Sequence, residues 1–114
     1  MKKNDLEERT YIYARDVMFL CKKIKPDFIN NPLVEQLIRA SGSVGANFRE
    51  AGDRLSKKDF LHRMRITRKE CKESGYWLRL LLDLRAVNED ESLRLLDESR
   101  QLRNIFSSII AKNS

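Results

Sequence analysis

The chain contains few of the side chains that build catalytic or metal centres. Its 114 residues include one histidine, His62, and two cysteines, Cys21 and Cys71. The cysteines lack the CxxC spacing of redox and zinc sites, and the helical layout inferred below places no histidine near either thiol. His62 shares its helix face only with Lys and Arg, so it has no nucleophile to activate. We therefore expect a protein that is not an enzyme and that holds no cofactor.

Glycine, proline and long apolar runs are scarce as well. Four glycines and two prolines leave room for long helices, and Gly42 and Gly45 match neither the P-loop nor the dinucleotide-binding pattern. No apolar run approaches the roughly 20 residues that span a bilayer. The opening segment MKKNDLEER is not followed by the apolar stretch of a secretory signal. These absences favour a single cytoplasmic domain over residues 1–114, with no membrane association.

Amphipathic patterns fill most of the chain. Apolar residues recur at steps of three and four, the spacing that places them on one face of a helix. The pattern predicts four helices, from Asn4 or Asp5 to the lysines before Pro26, from about Pro32 to Gly52, from Lys57 to about Ala86, and from about Glu91 to Ala111. Short connections join them, which is typical of antiparallel neighbours. The predicted fold is all-α, an antiparallel up-down four-helix bundle.

Small residues cluster on the second and third predicted helices. Thr67, Cys71 and Ser74 repeat on one face of the third helix, with Gly75 beside them. Residues 40–46 of the second helix, ASGSVGA, offer a matching small surface. Because small side chains let helices approach closely, we expect these two helices to cross tightly near their middles. Glycines weaken a helix, but the apolar spacing continues past positions 42 and 45 and favours one unbroken helix.

Positive charge is concentrated on the third predicted helix. Between Arg49 and Lys72, nine basic and four acidic residues give a balance of +5, against +6 for the whole chain. Four of these cations, together with His62 and Arg79, recur at steps of three and four and therefore form one side of the helix, here called the basic stripe. The basic stripe comprises Lys58, His62, Arg65, Lys69, Lys72 and Arg79, and Arg63 and Arg68 flank it.

Two interpretations of the basic stripe remain open at this point. A row of cations attracts phosphate backbones and releases their counterions, in which case Arg68 joins the stripe in binding. Basic helix faces are also common as ordinary solvated surface. Tyr76 is the one aromatic residue at a matching position, so binding would rest on phosphate contacts more than on base recognition.

Two carboxylates, Glu70 and Glu73, lie among apolar residues on a third face of the same helix. A buried charge without a partner is costly, so we expect partners from the preceding helix, with Arg39 and Asn47 as candidates. A carboxylate metal site is the alternative, but such sites in helical bundles use Glu-x-x-His pairs, and the only histidine lies on the basic stripe. We therefore predict no metal and a structural polar network of Arg39, Asn47, Glu50, Glu70 and Glu73.

The same two helices carry a family resemblance. Residues 36–50, QLIRASGSVGANFRE, fit the pattern QLxRAxxSxxxNxxE, and Lys58-Asp59-Phe60 and Glu70-Cys71-Lys72-Glu73-Ser74 follow. With these motifs the chain resembles the four-helix-bundle proteins encoded in intervening sequences of bacterial large-subunit ribosomal RNA genes. It is more distantly similar to the accessory variability protein of diversity-generating retroelements. The resemblance implies a bundle that assembles into a ring, a pentamer. The retroelement relative further implies a basic surface that binds nucleic acid and a reverse transcriptase.

The functional interpretation combines the basic stripe with this resemblance. We expect a non-enzymatic oligomeric accessory protein that binds RNA or DNA through the basic stripe. The alternative is a protein–protein adaptor that docks an acidic partner such as an RNA-processing enzyme or a reverse transcriptase. Apolar residues outside the predicted inner faces either widen the core or face another subunit. These residues are Ile12 and Phe19 on the first helix and Leu93, Leu96 and Ile105 on the fourth.

Overall fold

The computed structural model of the protein describes residues 3–53 and 56–114. Four α-helices fill most of these ranges: α1 (Lys3–Lys22), α2 (Asn30–Ala51), α3 (Lys57–Asp83) and α4 (Glu89–Asn113). The described ranges contain no strand, and the all-α prediction is confirmed. Arg54, counted above among the basic residues, lies outside them. Within those ranges, none of the helices combines the length and the apolar character that crossing a membrane requires.

Each helix packs against two others. α2 lies between α1 and α3, and α4 lies between α3 and α1, so α1 and α3 are diagonally opposite in the described part of the chain. The contacts along each interface run in opposite directions, as antiparallel neighbours require. Three ion pairs show this between α1 and α4, because the position in α4 falls as the position in α1 rises. They are Arg9–Glu98 at 2.7 Å, Asp16–Arg94 at 3.2 Å and, just after α1, Lys23–Glu91 at 3.1 Å. The predicted four-helix bundle is confirmed.

α1 ends at Lys22, earlier than the run of lysines before Pro26 indicates. Proline disfavours helical backbone at the residue that precedes it, so the helix closes ahead of that position. The amides of Lys23 and Ile24 bond to carbonyls three residues back, at 3.1 Å each, which tightens the last turn. At the other end, Asn4 and Asp5, expected to cap the helix, lie inside its first turn because α1 begins at Lys3.

α3 ends at Asp83, short of the expected end near Ala86. Arg85 has a φ of 58°, in the left-handed region. Its amide bonds to the Leu82 carbonyl at 2.9 Å, and the amide of Ala86 bonds to the Leu81 carbonyl at 2.9 Å. This pair of bonds is a Schellman motif, which closes a helix around one left-handed residue. Glycine usually fills that position, so an arginine there leaves no marker of the helix end in the sequence.

Side-chain caps fix the starts of α3 and α4. Ser56 Oγ accepts a hydrogen bond from the Asp59 amide at 3.1 Å. Asn88 Oδ1 accepts one from the Glu91 amide at 2.9 Å. Both satisfy amides that have no partner inside the first turn. The Asn88 cap places the first residue of α4 at Glu89, two residues before the expected start.

α2 is continuous through Gly42 and Gly45, as predicted, but these glycines do not face α3. A Cβ at Gly42 would lie 3.8 Å from Met18 Cε, and one at Gly45 would lie 3.2 Å from Thr10 Oγ1. Both partners belong to α1, so the expectation that the glycines meet α3 is wrong. The physical reason is the helical angle: each position advances about 100°, and residues 42 and 45 fall beside the core-facing stripe instead of on it.

The core is formed by residues from all four helices, most of them apolar. The largest fully buried side chains include Tyr13, Val17 and Leu20 of α1, Leu37 and Val44 of α2, Met64, Leu78 and Leu81 of α3, and Leu95, Leu102 and Phe106 of α4. The apolar residues whose role was open divide into two groups. Ile12 is half-buried, and Leu96 and Ile105 pack against the core. Phe19 and Leu93 are exposed.

Candidate nucleic-acid interface

The basic stripe lies on the outer surface of α3. All six of its residues are exposed: Lys58, His62, Arg65, Lys69, Lys72 and Arg79. Arg68, at its flank, is half-buried because its guanidinium turns toward α4, where Nη1 donates to Ser107 Oγ at 3.5 Å. One side of α3 therefore presents five cations and His62 to solvent.

The stripe is not neutralised by the rest of the bundle. None of its six residues takes part in an ion pair with another described residue, whereas arginines elsewhere do. Arg9, for example, makes a bidentate contact with Glu98, with nitrogen–oxygen distances of 2.7 and 2.8 Å. That carboxylate also raises the pKa of Arg9. The charge of the basic stripe is available to a ligand from solution.

Two acidic residues of α3, Glu70 and Glu73, belong to a different side of the helix. Arg39 of α2 contacts Glu70 at 3.3 Å and Glu73 at 3.2 Å, as expected. Because Arg39 holds both carboxylates at the α2–α3 interface, neither of them turns toward the basic stripe.

Asn47 and Glu50 have a different partner from the one expected. Both contact Arg63, which donates to Asn47 Oδ1 at 2.8 Å and lies 3.0 Å from a Glu50 oxygen. The polar network thus consists of two clusters along α2 and α3. Arg63 belongs to the second cluster, so it adds nothing to the charge of the basic stripe.

A groove between α3 and α4 extends the basic stripe onto a second helix. The α3/α4 groove has a volume of about 290 Å³, and its cations are Lys72 and Arg79 from α3 and Arg100 and Arg103 from α4. No carboxylate lines the groove among the described residues. Arg100 is tied to its neighbour Asp97, and Arg103 makes no ion pair in the described part.

Sequence reasoning missed the two arginines of α4. Their spacing relative to Leu96 and Ser99 would place them beside the inner face of α4, but only the pairing of α3 with α4 shows which groove they line. That pairing is fixed where the Cys71 thiol donates to the Ser99 carbonyl at 3.2 Å. The helices approach closely there, since a Cβ at Gly75 would lie 3.2 Å from Ser99 Oγ.

Comparison with known proteins identifies the family. A sequence model of the 23S rRNA-intervening sequence proteins matches residues 2–108. The chain belongs to this family. The crystal structure of a protein with unknown function from the S23 ribosomal protein family of Bacteroides thetaiotaomicron shares the fold of this intervening-sequence protein, with a TM-score of 0.83 and 28% sequence identity. The match covers 97% of the present chain and 99% of the other. No curated protein matches the chain.

The candidate interface of this intervening-sequence protein consists of cations and one aromatic ring. The nearest thiol, Cys71, is buried beneath the groove, and burial raises its pKa to about 12. It is therefore protonated near neutral pH and a poor nucleophile. Within the described ranges, no three His, Cys, Asp or Glu residues come together as a metal site.

Proposed function

We propose that this intervening-sequence protein is a non-enzymatic accessory protein that binds RNA or DNA through the basic stripe. The observation that supports the proposal is the exposure of six stripe residues on one side of α3 without an acidic partner among the described residues. A cation already paired within the protein would have to give up that pair to bind phosphate. An unpaired one exchanges only water and counterions, so the release of counterions from the nucleic acid favours binding.

The shape of the stripe also suits a nucleic-acid backbone. α3 has 27 residues, and the bundle is 44 Å long and 23 by 19 Å across. Lys58 and Arg79 lie 21 residues apart on the helix, which corresponds to about 30 Å at 1.5 Å per residue. A row of that length can contact several successive phosphates of one strand or one duplex. Contacts of this kind position the ligand and carry no base sequence information.

The proposal includes self-association. Tyr11, Met18 and Phe19 of α1 are exposed and line an apolar groove of about 420 Å³ whose other wall contains Gly42 and Gly45 of α2. Contiguous exposed apolar surface on a protein commonly marks an interaction site. A second copy of the chain on this α1/α2 groove leaves the basic stripe free, since α1 and α3 are diagonally opposite. An assembly, a pentameric ring in the family expectation, would then multiply weak phosphate contacts through avidity.

Binding to labelled RNA and DNA across a salt titration tests this function. We expect the affinity to fall steeply between about 50 and about 300 mM salt, with little dependence on base sequence. Binding that stays constant across the titration would contradict the proposal.

Pull-down with and without nuclease separates this function from the adaptor alternative. Capture of an acidic protein that survives nuclease treatment, combined with no binding to purified RNA or DNA, would favour the adaptor. We expect nuclease to abolish the captured material, because the stripe recognises phosphate.

A further inference from the structure

One aromatic ring interrupts the cations of the basic stripe. Tyr76 lies four residues after Lys72 and three before Arg79, so the three side chains follow one another along the same side of α3. All three line the α3/α4 groove. The ring is 59% exposed although it is large and apolar. Tyr76 is therefore an exposed ring set between two cations that make no ion pair with another described residue.

The ring is held in place without being covered. It meets Trp77 edge to face, with ring centroids 5.0 Å apart and an interplanar angle of 78°. This contact restricts the motion of Tyr76, yet more than half of its surface remains in solvent. A restricted, exposed ring loses little conformational entropy when a flat group stacks on it.

The groove beside the ring is open because its floor is small. Gly75 and Ser99 face each other there, and a Cβ at Gly75 would already lie 3.2 Å from Ser99 Oγ. Leu96 adds an apolar wall, and Arg103 of α4 stands across from the cations of α3. The site therefore combines a flat apolar surface with positive charge on both sides.

We propose that the α3/α4 groove binds single-stranded nucleic acid, with one base stacked on Tyr76 and the flanking phosphates on Lys72, Arg79 and Arg103. This inference rests on the proposed function and adds the class of ligand. Bases of a single strand are free to stack on an aromatic side chain, and such stacking tolerates any sequence because every base has a flat face. Bases inside a duplex are already stacked on each other, so a duplex contacts the basic stripe through phosphates alone.

The test compares a single-stranded oligonucleotide of about 12 nucleotides with a duplex of the same length, by fluorescence anisotropy at fixed salt. We expect Tyr76→Ala to weaken single-strand binding roughly tenfold or more. Tyr76→Phe, which keeps the ring, should bind as the wild type does. Duplex binding should change less than about twofold in both variants. Because Tyr76 is exposed, both variants should keep the fold, which circular dichroism checks.

A second readout reports stacking directly. Trp77 is the only tryptophan and touches the Tyr76 ring, so single-stranded ligand should change its fluorescence and duplex should not. Equal effects of Tyr76→Ala on single strand and duplex, or no effect on either, would overturn the single-strand inference while leaving salt-dependent binding by the stripe intact. Absence of salt-dependent binding to both ligands would instead remove the proposed function itself.

Discussion

At the scale of single residues, a buried set of hydrogen bonds crosses the bundle between its diagonal helices. The hydroxyls of Tyr13 and Ser74 lie 2.7 Å apart, and Ser74 Oγ donates to the Cys71 carbonyl at 2.7 Å. Since Ser74 has a single hydroxyl proton, Tyr13 is the donor to Ser74. Burial raises the pKa of Tyr13, so its hydroxyl stays protonated and able to donate. One phenol thereby connects α1 to α3, which otherwise do not pack on each other.

Removing the Tyr13 hydroxyl should leave Ser74 Oγ without its donor in a dry core. We expect Tyr13→Phe to lower the free energy of unfolding by about 1 to 2 kcal/mol, measured by urea denaturation. The double variant Tyr13→Phe/Ser74→Ala should cost little more than the single one, because no buried acceptor is then left unpaired. Two independent, additive losses would contradict the hydrogen-bonded pair.

Buried thiols should make the protein less stable at alkaline pH. Burial raises the pKa of Cys21 to about 11 and that of Cys71 to about 12. Thiols in the unfolded chain ionise near pH 8.5. Above that pH the unfolded state binds fewer protons than the native state, so stability present below about pH 8.5 is lost as pH rises toward the folded pKa values.

Urea unfolding under reducing conditions, repeated from about pH 8 to about pH 10, measures this effect. We expect a decline of up to about 1.4 kcal/mol per pH unit for each thiol. Cys71→Ser removes one titrating group and keeps a small hydrogen-bond donor, so its decline should be shallower than that of the wild type. Identical slopes for the two proteins would contradict the pKa assigned to Cys71.

At the scale of the helices, periodicity predicted how many helices there are and which faces they bury, but not where each helix ends. The number of helices, the core face of α1 and the alignment of the stripe along α3 follow from apolar and charged spacing, because those features depend on 3.6 residues per turn. The ends of α1 and α3 depend on a few local bonds around Lys23 and Arg85 that spacing does not encode. The partners of Gly42 and Arg63 depend on which helix lies beside which face, and that is a tertiary property.

The end of α3 offers a matched pair of substitutions. Arg85 adopts a left-handed φ that glycine adopts at lower cost, so Arg85→Gly should leave α3 intact and stabilise the protein by about 0.5 to 1 kcal/mol. Arg79→Gly, six residues earlier at an exposed position inside the helix, should destabilise it by about 0.8 kcal/mol. Thermal unfolding should show a higher melting temperature than the wild type for the first variant and a lower one for the second. Destabilisation of similar size at both positions would mean that the Schellman turn does not end the helix.

For the whole molecule, the arrangement of the helices determines which surfaces can act together. The order α1, α2, α3, α4 around the bundle brings Arg103 of α4 beside Lys72 and Arg79 of α3, and it sets the apolar α1/α2 groove apart from the basic stripe. The stripe could be predicted from the sequence because it lies on one helix. The α3/α4 groove could not, because its arginines come from two helices whose pairing only the fold determines.

If the chain self-associates through the α1/α2 groove, substitutions at two exposed phenylalanines should affect the assembly differently. Phe19 lines the groove and is 55% exposed, whereas Phe28 lies in the loop after α1 and is 86% exposed. We expect Phe19→Lys to reduce the assembly to smaller species and Phe28→Lys to leave its size unchanged, since the groove already holds three cations and a further buried cation there has no carboxylate partner among the described residues that line it. Light scattering gives the masses. An assembly that is insensitive to Phe19→Lys would place the subunit contact elsewhere.

The most direct measurement of the central claim is the salt dependence of nucleic-acid binding by two charge-matched variants. Arg65→Glu/Lys69→Glu reverses two residues in the middle of the basic stripe. Lys23→Glu/Lys25→Glu reverses two exposed lysines just after α1, the helix diagonally opposite, outside the α1/α2 groove, and both variants carry the same net charge. Light scattering establishes that their assemblies match. We expect the stripe variant to bind at least about tenfold more weakly at about 100 mM salt, with a salt slope reduced by about two, and the control to bind nearly as the wild type does. Equal losses in both variants would show that only net charge matters, and the basic stripe would then not be the binding site.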